Sequence, residues 1–89
     1  MNNPQEKAHE LIAYLSKRKD SKLITKEMLA DAYELIFHHE WGIALEIVME
    51  ILYEGDFSWD EKGLRIAQDA WQAAGLDWSI WKSLLKAGS

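Results

Sequence analysis

Cysteine is absent from this 89-residue chain, proline occurs once and glycine five times. Without cysteine there can be no disulfide-stapled scaffold and no thiolate metal ligand. With so few proline and glycine breakers, helix is favoured almost throughout. No apolar run approaches the roughly 20 residues that a membrane-spanning helix needs. The opening MNNPQEKAHE is polar from its first residue, unlike a secretory signal, so a soluble cytoplasmic protein is expected. Lysine and arginine are missing too, but only from one region. Between Glu27 and Glu61 lie Glu27, Asp31, Glu34, Glu40, Glu46, Glu50, Glu54, Asp56, Asp60 and Glu61, with no basic residue among them.

The flanks carry the opposite sign. Residues 1–26 hold six basic side chains against three acidic ones, and residues 62–89 hold four against two, within a net charge of −5. Such segregation opposes compaction through self-repulsion. It also argues against nucleic acid as a direct ligand, because phosphate binding needs Lys and Arg to displace counterions.

Hydrophobic residues make up 48% of the chain and include five tryptophans, enough for a core in one domain spanning 1–89. No segment alternates with the period of a strand. The expected fold is all-α, a compact bundle of four to five short helices. The first should start at Asn3 as N-cap, with Pro4 at N1, Glu6 closing a capping box, and Ala8, Leu11, Ile12 and Leu15 as its apolar stripe. KRKDSK reads as a polar connector. Thr25 should cap a second helix with Leu29, Ala32, Tyr33 and Ile36 on its inner face. The HHEWG segment breaks that pattern, and a third helix should run from about Trp41 to Glu54, apolar nearly all round and therefore central. Gly55 is expected to take the left-handed position that ends it. Ser58-Trp59-Asp60-Glu61 reads as a capping box opening a fourth helix, whose face of Gly63, Ile66, Ala67, Ala70, Trp71 and Ala74 permits close approach. Gly75 should end that helix. Asp77 should cap a short fifth one, with Trp78, Trp81, Leu84 and Leu85 closing the core.

Reactive constellations are scarce. His38 and His39 are adjacent, whereas helical metal ligands sit three or four residues apart on one face. Glu34 and His38 have that spacing but form a single pair, more typical of a helix-end interaction. His9 suggests solvent exposure alone. A di-iron bundle needs ExxH motifs on facing helices, and the chain has none. There is no nucleophile beside a base and no glycine-rich phosphate loop, so neither an enzyme nor a cofactor or metal site is expected. Most of the tryptophans fit a core. Trp59, placed at the start of its helix beside Asp60, is the one expected at the surface, with Tyr53 and Phe57 nearby as interface anchors.

The carboxylates form rows. Glu46, Glu50 and Glu54 repeat at i,i+4, where an ordinary solvated face would interleave lysine and where like charges cost a few tenths of a kcal/mol per pair. Glu27, Asp31 and Glu34 repeat the choice one helix earlier. A partner-facing surface explains both rows better than solvation does. The expected partner-binding set is Asp31, Glu34, Glu46, Glu50, Tyr53, Glu54, Asp56, Trp59 and Asp60. Complementary charge on a basic protein would speed association, and on a nuclease these carboxylates could occupy the sites that hold phosphates.

The stretch HHEWGIALEIVMEILYEGDFSWDEKGLRIAQDAWQAAGLDWSIWKSLL, residues 38–85, resembles the immunity proteins of the Maf polymorphic-toxin systems, the MafI family. The residues carrying the likeness are His38, Glu40, Ala44, Leu45, Glu46, Tyr53, Asp56, Gly75, Leu76, Asp77 and Trp81. Gly55 departs from the pattern, and residues 1–30 match none of it. The resemblance implies a cytoplasmic antitoxin that binds the toxic C-terminal domain of a secreted or contact-delivered effector, as in contact-dependent growth inhibition. A basic nuclease is the toxin that the charge favours. Two alternatives stay open: a helical adaptor or regulatory subunit for another basic protein, and homodimerisation through an exposed tryptophan.

Overall fold

A computed structural model describes residues 3–18 and 22–85. The secretory-signal reading falls partly on residues 1–2 and the KRKDSK connector partly on residues 19–21, which lie outside the described residues. Five helices follow one another: α1 (Pro4–Ser16), α2 (Lys26–Phe37), α3 (Trp41–Glu54), α4 (Glu61–Ala73) and α5 (Ser79–Leu84). No strand occurs among the described residues, so the chain is an all-α bundle. No described helix is long and apolar enough to cross a membrane.

Local chemistry sets the first two helix starts as expected. Asn3 accepts hydrogen bonds from the Gln5 and Glu6 amides, with Pro4 at N1, where its missing N–H removes nothing. Thr25 accepts from the Met28 amide at 3.0 Å. The fourth start is a correction. Asp60, not Ser58, is the N-cap of α4, its carboxylate accepting from the Gly63 amide at 2.7 Å. The Tyr14 hydroxyl donates to the same carboxylate oxygen at 2.8 Å, a tertiary bond that Ser58 does not receive. At α5 the N-cap is Trp78, not the expected Asp77, whose carboxylate instead accepts from the Ser79 amide at 2.9 Å from one residue before the cap.

Three helices end in the same double bond pattern of the Schellman motif. After α2, the Glu40 amide donates to Leu35 C=O and the His39 amide to Ile36 C=O. After α3, Phe57 donates to Leu52 and Asp56 to Tyr53; after α4, Leu76 donates to Trp71 and Gly75 to Gln72. The left-handed residues are His39 (φ 62°), Asp56 (φ 56°) and Gly75 (φ 81°). Gly75 thus takes its expected place, whereas Gly55 does not, with φ −90°. Its lack of a side chain answers a different demand: a Cβ there would run into Leu23.

The core is formed by Ala8, Leu11, Ile12 and Leu15 of α1 against Met28, Ala32 and Ile36 of α2, the inner faces of α3 and α4, and the tryptophans. α1 packs on α2, α3 and α4. Against α4 it meets the small stripe Gly63, Ala67 and Ala70, all buried as expected, and a Cβ on Gly63 would strike the Tyr14 ring. α5 closes one end, where Trp81 meets Trp71 edge to face at 5.7 Å and Tyr53 at 5.7 Å. Trp78 and Trp81 are buried and Leu85 half-buried, while Leu84 is exposed, contrary to expectation. Tyr33 likewise faces out of α2, its ring tilted against that of His9 at 5.4 Å. The larger correction concerns α3. It buries Ala44, Leu45, Val48, Met49 and Leu52, yet Ile43, Ile47 and Ile51 are 51%, 43% and 37% exposed. With neighbours on one side only, a helix apolar nearly all round is left with a bare flank.

Candidate partner-binding surface

The His38-His39-Glu40 turn folds α3 back along α2, and both helices rest on α1. Their outward faces therefore point the same way. At about 100° per residue, Glu46, Glu50 and Glu54 fall opposite the buried face of α3 and form its crest, all exposed. Ile47 and Ile51 adjoin that crest on the side turned toward α2, and Ile43, one turn earlier, is the most exposed of the three. On α2, Glu27, Asp31 and Glu34 are exposed, and Asp31 is the one nearest α3.

Between the helices lies a small cleft of about 100 Å³. Its floor is Met28, Ala32, Ala44 and Val48. Its walls are Asp31 and Leu35 on α2 and Ile47 and Ile51 on α3. Apolar groups thus occupy the trough, and carboxylates stand on either bank.

None of the ten carboxylates from Glu27 to Glu61 joins an ion pair with a described Lys or Arg; the described pair is Lys7–Glu10 at 3.8 Å on α1. Among the described residues, the basic flanks form no ion pair with the carboxylates of α2 and α3. The carboxylates of that face are all exposed. Among the described residues no three His, Asp or Glu side chains converge as metal ligands. His38 packs edge-on against Phe37 and His39 against Trp41.

The structure separates the nine residues expected to bind a partner into three groups. Asp31, Glu34, Glu46, Glu50 and Glu54 share the two-helix face. Tyr53 and Asp56 lie at the end of α3, exposed, with Tyr53 against Trp81 and Asp56 held left-handed in the turn. Trp59 and Asp60 belong elsewhere. Trp59 is only 5% exposed, which overturns its expected place at the surface. It meets Phe57 edge to face at 4.9 Å, and Arg18 pins the loop by lying 4.6 Å over the Phe57 ring and donating to Ser58 C=O at 3.1 Å. Because the helix starts two residues later than expected, Trp59 falls before the cap, where apolar residues commonly fold inward. Its indole N–H is buried with no hydrogen-bond partner among the described residues.

Asp60 sits on the α1–α4 side, in a network with Tyr14 and Arg18, whose guanidinium donates to the Tyr14 hydroxyl at 3.0 Å. The Gly63 amide, then the Tyr14 hydroxyl, hold the Asp60 carboxyl below its usual range. Partial burial, then the bond to Asp60, push the Tyr14 hydroxyl up. No described tryptophan is exposed, so homodimerisation through one loses its footing.

What the sequence reading missed is the isoleucine row. Its signal was there: Ile47 and Ile51 each directly follow an acid of the i,i+4 series. Apolar and acidic rows that adjoin on one helix cannot both face the core. No family model, curated protein or solved structure matches the chain.

Proposed function

We propose that this chain is an immunity protein that neutralises a basic toxin domain, a nuclease of a secreted or contact-delivered effector, by laying the α2–α3 face over the groove where that enzyme would hold phosphates. One observation carries the reading: Asp31, Glu34, Glu46, Glu50 and Glu54 gather on one outward face without an ion pair to a described Lys or Arg. Like charges at i,i+4 work against the helix, and a cationic partner relieves them. The likeness of residues 38–85 to Maf-type immunity proteins is consistent with this role. Tyr53 and Asp56 extend the surface at the end of α3. A second reading, a helical adaptor for another basic protein, is favoured by the apolar cleft, which needs no active site on the partner.

The test is protection. The polypeptide encoded immediately upstream is expressed alone and together with this chain: killing by the first and survival with the second support the antitoxin. A harmless neighbour, or death despite co-expression, overturns it. Replacing Glu46, Glu50 and Glu54 together by Lys should weaken toxin binding measured by calorimetry while circular dichroism stays helical. Unchanged affinity would remove this face from the interface.

A further inference from the structure

Three isoleucines one turn apart, Ile43, Ile47 and Ile51, lie half-exposed on α3, and Ile47 and Ile51 line the cleft beside α2. From the first to the last is two turns and a fraction, about 12 Å of helix. We infer that the α2–α3 cleft is a docking groove for a basic amphipathic helix, one that lays apolar side chains at i, i+3 or i+4 and i+7 into the trough and sets Lys or Arg on both banks. The inference rests on the proposed role of this face and names the element its partner presents.

Geometry and charge select that occupant. Side-by-side helices leave between them a straight trough, and a helix is the element whose apolar stripe repeats at the pitch of Ile43, Ile47 and Ile51. Asp31 lines one wall, with Glu27 and Glu34 a turn away on either side, and Glu46, Glu50 and Glu54 line the crest beyond the other. A cation on either edge of the incoming stripe therefore meets carboxylate. The same arrangement works against a second copy of this chain, because two such faces would bring acid against acid. It disfavours a neutral helix as well, which would fill the trough but leave the banks unpaired.

The probe is a synthetic, end-capped peptide of leucine and lysine, about five helical turns long, with its leucines at i, i+3, i+4 and i+7. A scrambled peptide of identical composition carries the charge without the stripe, and a third has every lysine replaced by glutamate. Amide chemical shifts of the full chain report where each binds. The patterned peptide should perturb Asp31, Leu35, Ile47 and Ile51 and bind about tenfold or more tighter than the scrambled one, with no binding of the acidic peptide. Ile47→Glu should remove about a tenfold factor, the loss of one central apolar anchor. Since Ile47 is partly packed, Glu50→Lys is a second variant on the fully outward crest and should weaken binding without touching the trough. Equal affinity for patterned and scrambled peptides, shifts that map to α1 or α4, or no effect of either variant would overturn the groove. So would sedimentation showing a dimer that buries it. Survival with toxin despite a failed groove would leave the antitoxin reading intact, whereas peptide binding without protection would discard the antitoxin and keep the groove.

Discussion

The two halves of this bundle solve opposite problems. Where α1 meets α4, Gly63, Ala67 and Ala70 let the helices close up, and the polar groups at the rim are joined through Tyr14, Asp60 and Arg18. Where α2 meets α3, larger side chains leave a cleft, isoleucines half-bare and acids without ion pairs among the described residues. Burial and satisfied hydrogen bonds are what stability draws on. Exposed apolar rows and uncompensated charge add nothing to it, and features of that kind mark surfaces meant for contact. One half holds the fold so that the other can stay unsatisfied.

Substitution by alanine should break the two halves unequally. Leu11→Ala, at a fully buried position of α1, should cost about 2–5 kcal/mol by cavity formation. Ile47→Ala, on the half-exposed row, should cost only about 1 kcal/mol, because 43% of its surface is already in water. Urea unfolding of both variants measures the difference, and equal losses would erase the contrast. Next in size, Gly63→Ala should cost about 1–3 kcal/mol, since its Cβ meets the Tyr14 ring and the α1–α4 contact must open. A melting temperature equal to the parent's would show that this contact is looser than the geometry indicates.

Smaller effects test the junctions. Relieving the left-handed strain at the α2–α3 turn with His39→Gly should stabilise the chain by about 0.5–1 kcal/mol. A loss instead would mean that the imidazole edge on Trp41 outweighs the strain. The acid limb sharpens the comparison further. The Asp60 carboxyl is lowered in the folded chain by Gly63 and Tyr14, so its contribution is present above the ordinary carboxyl range and lost as pH falls through its folded value. Asp77, lowered by the Ser79 amide, behaves likewise. Stability followed by fluorescence should therefore decline below about pH 4, and Asp60→Asn should flatten that decline. An unchanged acid limb would remove the Tyr14–Asp60 contact from the stabilising half.

Much of this was written in the chain. Asn3, Pro4 and Thr25 act through amides within three residues, so their caps follow from local chemistry alone. The α3 span and the left-handed Gly75 are equally local, as is the small-residue stripe of α4, whose spacing declares its face. Asp60 was harder to read because its choice over Ser58 depends on the Tyr14 hydroxyl, which comes from a helix 46 residues earlier. Trp59 followed that error inward. Gly55 kept its place for Leu23, a contact that no local pattern announces.

The sequence by itself determined that the chain is helical, where most helices begin and end, and that its acids are segregated from its bases, for these depend on neighbours within a turn or on composition. Only the tertiary structure decided which apolar residues would stay in water and which carboxylates would share a face. Burial depends on how many helices surround a given flank, and α3 packs on α1, α2 and α4 while no described helix covers its isoleucine row.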